Sequence, residues 1–362
     1  MRSIDFISDK KVNTTTIYKD KYVHVQSSDE SAVPGLYIIR PSSNKESVTE
    51  LNDIELALFS YFQRQIHFSL RKIFDIELCG LYFEEHPGKK MISYTIPFHI
   101  DMLTQNFSVD VYQPHIADYL TIYSYSSTQK QINKFNAKIK EILYSRTVKN
   151  EIENITNGIF TAYKSIETFS EISKELLEIE EVLEIFDEKE LPIAPDGKKY
   201  FVCIGGEKNF QCFLGDKQKS RGEFLTEYEK KLDDCLKCVY SDDQIVVRQD
   251  AKYAIPGFYI ISTRSHYRTI DEMPRYLFDR CMFIARDIKR GLLELGIKQS
   301  HIYSDEKYKS PASAHFWVLP IYGEFVKTKK LDPTIFSKDI WIYLETFPRF
   351  TETKSQIIEI NE

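Results

Sequence analysis

Between residues 12 and 40, short apolar runs rich in β-formers are broken by a Pro-Gly pair at Pro34-Gly35, which predicts strand, turn, strand. Residues 51–78 change to a helical rhythm and predict one long helix, and residues 92–98 predict a further strand. The stretch 114–146 reads as a strand followed by a polar helix. In the acidic segment that follows, Ile172, Leu176, Ile179, Leu183 and Phe186 recur at helical spacing, so an amphipathic helix is expected there. Leu191-Pro-Ile-Ala-Pro-Asp-Gly ends it and marks the domain boundary. Tyr200–Ile204 and Phe210–Leu214 flank Gly205-Gly206 and predict a hairpin, because the glycine pair lacks the wider spacing and the Lys-Ser/Thr of a phosphate loop. Pro274 opens a second long helix whose apolar face is Leu277, Cys281, Ile284, Ile288 and Leu292, and Gly296 closes it. Ser313–Leu319 predicts a strand.

These patterns repeat. Tyr18–Ile39 aligns without gaps on Tyr240–Ile261, with 9 of 22 positions identical, including Pro34-Gly35 over Pro256-Gly257. The register continues through Val48/Ile270 and Leu51/Met273. So wide a separation implies a duplicated domain, since solenoid and propeller repeats are several-fold shorter. Superposing Pro97 on Pro320 sets Ile92 opposite His315. The expected division is a first domain over 1–150, an acidic helical linker over 151–195 and a second domain over 196–362.

Composition narrows the class. The chain has 362 residues, 42% of them hydrophobic, which suits globular domains with proper cores. A net charge of −6 with interspersed Lys and Glu argues against a duplex nucleic-acid surface. No apolar run approaches the ~20 residues of a membrane span. The N-terminal Met-Arg-Ser-Ile-Asp-Phe-Ile-Ser-Asp-Lys-Lys lacks a signal-peptide core. The six cysteines, at 79, 203, 212, 235, 238 and 281, then read as reduced thiols in a cytoplasmic protein.

Two constellations carry chemistry. Alternation on Ser313–Leu319 puts Ser313, His315, Trp317 and Leu319 on one face. Just before them, Lys307, Lys309 and Ser310 offer the cationic and hydroxyl donors that hold a phosphate beside an imidazole. The alternative for His315 is a half-buried imidazole satisfied by a neighbouring carbonyl. Cys235-Leu-Lys-Cys238 has the spacing at which two thiolates reach one tetrahedral zinc. Two incidental cysteines, or a redox pair, are the alternatives. His266 lies in the loop beyond the next strand pair and could add an imidazole.

Taken in order, Cys235-x-x-Cys238, Tyr240-Ser-Asp-Asp, Pro256-Gly-Phe-Tyr-Ile-Ile, His266-Tyr-Arg-Thr-Ile-Asp-Glu-Met-Pro and His315-Phe-Trp-Val-Leu-Pro resemble the histidine triad (HIT) superfamily. The tandem arrangement is most similar to the branch of galactose-1-phosphate uridylyltransferase and the dinucleoside polyphosphate phosphorylases. The resemblance implies an α+β fold of two HIT-like domains, each an antiparallel sheet with a long helix, packed as an intramolecular pseudo-dimer. It implies a nucleotidyltransferase or phosphoanhydride hydrolase forming a covalent nucleotidyl-histidine at His315. It also implies phosphate and ribose contacts from Ser310, Ser313, Trp317, Lys307 and Asp250, and a structural zinc on Cys235, Cys238 and His266. The family motif is His-x-His-x-His or His-x-His-x-Gln, and here Ser313 and Trp317 replace its flanking members. The other implied outcome is therefore a catalytically degenerate module that binds a nucleotide or a protein partner. The expected ligand is a nucleotide or nucleotide sugar, with no membrane partner, and a homodimer is admitted.

Overall fold

The computed structural model describes residues 14–28, 33–86, 88–100, 125–158, 199–204, 210–215, 238–242, 244–250, 255–263, 267–306, 314–332, 334 and 339–347. The chain runs β1 (Thr14–Lys19), β2 (Val23–Ser28), β3 (Tyr37–Pro41), α1 (Asp53–Phe74), β4 (Leu78–Glu84) and β5 (Ile92–Phe98). Next come α2 (Tyr125–Leu143), α3 (Arg146–Thr156), β6 (Lys199–Ile204), β7 (Phe210–Gly215), β8 (Cys238–Ser241), β9 (Ile245–Gln249) and β10 (Tyr259–Thr263). It closes with α4 (Arg275–Glu294), β11 (Ser300–Asp305), β12 (His315–Pro320), α5 (Gly323–Lys329) and α6 (Asp339–Thr346). β6 and β7 pair as the expected hairpin. The helix α3 crosses residue 150, and the acidic helix expected at 172–186 lies outside the described residues.

The other ten strands form one open antiparallel sheet in the order β1-β2-β3-β5-β4-β11-β12-β10-β9-β8. The order reads alike from both edges, and β4 and β11 join at its centre through Tyr82 and Tyr303. The protein is thus α+β, with α1 and α4 packed on one face of the sheet and against each other. Alternation divides each strand: Tyr37, Ile39, Leu81, Phe83, Ile261, Phe316 and Val318 enter the core under these helices. On the other face, α6 covers Leu319 with Tyr343, whose hydroxyl donates to the Pro320 carbonyl at 2.9 Å.

Repeated local chemistry explains why the repeated sequence folds alike. Asp20 Oδ1 accepts from the Tyr22 and Val23 amides, and Asp242 Oδ1 from those of Gln244 and Ile245, all at 2.7–2.8 Å. Such a side chain closes a tight turn by replacing backbone partners. Tyr18 and Tyr240 donate to the same two carboxylates. Each Pro-Gly turn takes a positive φ, +89° at Gly35 and +75° at Gly257, which glycine adopts without a Cβ penalty. The helix contacts are also reciprocal. Arg64 of α1 donates to the Met273 carbonyl, while Arg286, at the equivalent place on α4, donates to that of Leu51.

Candidate functional site

His315 begins β12 and faces away from α1 and α4, because its neighbour Phe316 fills the core beneath them. It is 8% exposed, so the imidazole is a buried group rather than one standing in open solvent. The Trp317 ring meets it edge-on, with centroids 4.3 Å apart and planes at 85°. Across the ladder from His315 lies Ser262, whose buried Oγ has no hydrogen-bond partner among the described residues. Trp317 packs at 4.8 Å on Tyr303, and Tyr303 stacks at 6.5 Å on Tyr82. The ladder pairs Ile260 with Trp317, Trp317 with Tyr303, Tyr303 with Tyr82 and Tyr82 with Tyr94. An aromatic band therefore crosses the middle of this face, and His315 sits at its edge. Chemically, this is a buried imidazole against an indole, with a serine across the ladder.

Lys307, Ser310, Ser313, Cys235 and His266 lie outside the described residues. Asp250 follows β9 at the Phe258 end of β10, where its amide donates to the Phe258 carbonyl at 2.7 Å. His315 pairs with Ser262, at the far end of β10 and one strand further on, so the Asp250 and His315 Cα atoms stand roughly 17 Å apart at ordinary strand spacings. The sheet does not bring Asp250 to His315. Cys238 pairs with Arg248, and Arg248 with Ile260, whereas the chain departs toward His266 from Thr263. Of the three expected zinc ligands, Cys238 alone is among the described residues. Among the described residues no cluster of three His, Cys, Asp or Glu side chains has metal-binding geometry. No described helix is long and apolar enough to cross a membrane.

No family model matches this chain, and no curated protein does. Among solved structures it is similar to one described as the structure of uridylyltransferase, with a TM-score of 0.42 and 9% identity over 90% of this chain and 74% of that one. So loose an overlay decides no chemistry, and the functional reading rests on this chain's own residues.

The register does reveal a group that sequence reasoning passed over. Lys19 pairs with His24, and His24 with Arg40, on the same sheet face as His315 but in the first half. Only the strand pairing makes these positions neighbours. The one sequence signal was the internal repeat, which sets Ser241, Val246 and Ser262 at the equivalent places.

Proposed function

We propose that this chain is a tandem HIT-like protein, its halves packed as an intramolecular pseudo-dimer with domains at 1–150 and 196–362, that handles a nucleotide beside His315. The observation that carries this reading is the imidazole on β12, set against Ile92 at the matching place on β5. In the register, Trp317 pairs with Ile260 and Tyr94 with Ile38, so Tyr94 corresponds to Trp317 and Ile92 to His315. The chemistry proposed is nucleotidyl transfer or phosphoanhydride hydrolysis. A neutral His315 nitrogen attacks the α-phosphorus, the P–O bond to the leaving phosphate breaks, and water or an acceptor hydroxyl then releases the nucleotidyl group from nitrogen. Lys307, Ser310 and Ser313 are the proposed phosphate contacts. No step is routed through zinc, which on Cys235, Cys238 and His266 would be structural.

One observation favours the second reading, a module that binds a nucleotide or protein partner without turning a nucleotide over. His315 is buried, and an indole occupies the third motif position against its ring. Losing an oriented donor beside a developing oxyanion costs several kcal/mol of transition-state stabilisation. Full-length protein and its His315→Ala variant, incubated with labelled dinucleoside polyphosphates and nucleotide sugars, separate the two. Turnover or an acid-labile covalent label that disappears in the variant establishes transfer. Nucleotide-dependent thermal stabilisation, lost in the variant and without turnover, establishes binding. Neither response in either protein overturns transfer and nucleotide binding alike.

A further inference from the structure

Lys19, His24 and Arg40 stand in one transverse row on β1, β2 and β3, each directly across the ladder from the next. Their side chains share the face turned away from α1, since Val23, Val25 and Ile39 point into the core. Like charges placed opposite one another on a sheet destabilise it, so a lysine, a histidine and an arginine in register call for a compensating anion. Lys90, just before β5, adds a further positive charge acting on His24. An edge-strand lysine such as Lys19 is explained by protection against edge-to-edge pairing. That explanation stops at β1. Arg40 lies on the third strand from the edge, and its Nε is buried with no hydrogen-bond partner among the described residues.

Among the described residues, the nearby acids have partners of their own. Asp20 closes its turn and receives the Tyr18 hydroxyl. Glu84 pairs with His86 at 2.6 Å and acts on the Tyr94 hydroxyl. His24 itself meets a neutral group, the Thr16 hydroxyl, at 3.0 Å. Burial, together with Lys19, Arg40 and Lys90, holds His24 below the ordinary histidine range, as expected of an imidazole among cations. The equivalent row of the second half, Ser241, Val246 and Ser262 beside His315, carries no lysine or arginine. The shared fold therefore does not require this charge row.

We propose that Lys19, His24 and Arg40, with Lys90 at the rim, form a second binding site, in the first half, for a phosphate group. The guanidinium fork and the ammonium match its oxygens, and the row is distinct from the His315 strand. Inorganic phosphate and a phosphate monoester share that chemistry.

The test is a titration of the full-length protein with inorganic phosphate, and separately with a nucleoside monophosphate, against sodium chloride at matched ionic strength. Phosphate is expected to raise the melting temperature of both wild type and His315→Ala by several degrees at saturation. Arg40→Gln is expected to weaken phosphate binding about tenfold or more while leaving the ligand-free melting temperature unchanged or higher, because repulsion is relieved. Lys19→Gln, at an exposed position, is the fallback if Arg40→Gln fails to fold, with the same weakening expected. In NMR titrations, saturating phosphate should move the His24 pKa upward, which a purely structural row would not do. A tighter fit for the monophosphate, or an equal one, supports the site and identifies the source. An equal response to chloride, an unchanged phosphate response in the variants, or a static His24 overturns it.

Discussion

The two sides of the central seam solve one problem with different residues. Glu85 accepts the Val48 amide at 2.8 Å, and Glu306 accepts the equivalent Ile270 amide at 3.0 Å, so each acid pins the loop ahead of the long helix in its own half. Each is then neutralised from the opposite half. Lys289 of α4 reaches Glu85 at 2.6 Å and the Ser300 carbonyl at 2.5 Å. On the other side, His67 stands at the place of Lys289 in the repeat, and the cation comes from Arg71, which bridges Asp271 at 2.5 Å and Glu306 at 2.6 Å. Repetition has kept the buried acid and the demand for a cross-half cation. The cation's identity and position have drifted because any side chain reaching that carboxylate satisfies it.

Removing the cation breaks this comparison most severely. Arg71→Ala leaves Asp271 and Glu306, with side chains 3% and 1% exposed, without their guanidinium. The expected loss is about 3–5 kcal/mol, read from urea denaturation at constant m-value. Lys289→Met strands a single carboxylate and should cost less. Adding Glu85→Gln to it should recover most of the loss, because a buried pair is replaceable where a buried lone charge is not. Equal losses for Arg71→Ala and Lys289→Met would show that Asp271 takes no part.

Acid and base sharpen the comparison next. Burial pushes His67 down to about 3, from an ordinary value of 6.5. The unfolded chain therefore binds a proton that the folded one refuses, and stability falls as pH drops from 6.5 toward 3. Asp279, on α4 beside Arg275, is shifted the other way. Burial pushes it up to about 7 from 3.8, against the pull of Arg275. Its contribution is full below its unfolded value and is lost as pH rises through about 7. His67→Gln should flatten the fall in melting temperature below pH 6.5, and Asp279→Asn should remove the opposing loss of stability between pH 3.8 and about 7. An acid limb unchanged in His67→Gln would mean that this imidazole is hydrated or paired when folded.

Part of this was legible in the sequence. The internal repeat, the two Pro-Gly turns, the strand at 92–98 and the helix opened by Pro274 all appear as local signals, and the structure has them. The helix expected over 51–78 ends at Phe74, where Asp75 takes a positive φ of 55°. The strands that build the seam were not legible. β4 escapes the sequence because Leu78-Cys-Gly-Leu-Tyr-Phe-Glu is buried on both faces, so no polar alternation shows through. β11 is equally silent, because Tyr303 and Ser304 answer to partners on β12 and β4. On α4, Arg280, Arg286 and Lys289 lie on what looks like a polar outer face, yet all three are buried among partners far away in the chain. The candidate site was legible only as His315 and Trp317 on one strand face. The distance from Asp250 to His315 depends on register, which no spacing along the chain encodes.

The smallest expected effect lies at the centre of the seam, where Gly80 and His301 hold corresponding places, ahead of the paired tyrosines Tyr82 and Tyr303. The Tyr82 ring folds back over Gly80, so a Cβ there would meet the Tyr82 hydroxyl at 2.7 Å and Cζ at 2.9 Å. Tyr303, the counterpart of Tyr82, instead packs on Trp317, and its half carries a buried histidine in place of the glycine. Tyr82 is 2% exposed and has no space into which to swing, so Gly80→Ala should cost about 1–3 kcal/mol through overpacking. A double-mutant cycle with Tyr82→Leu identifies the cause. If the ring is what forbids a side chain at position 80, the alanine penalty shrinks sharply once Tyr82 is shortened. If the full penalty persists, the glycine answers to the backbone of β4 instead, and the asymmetry between the halves begins in the strand rather than in the aromatic band above it.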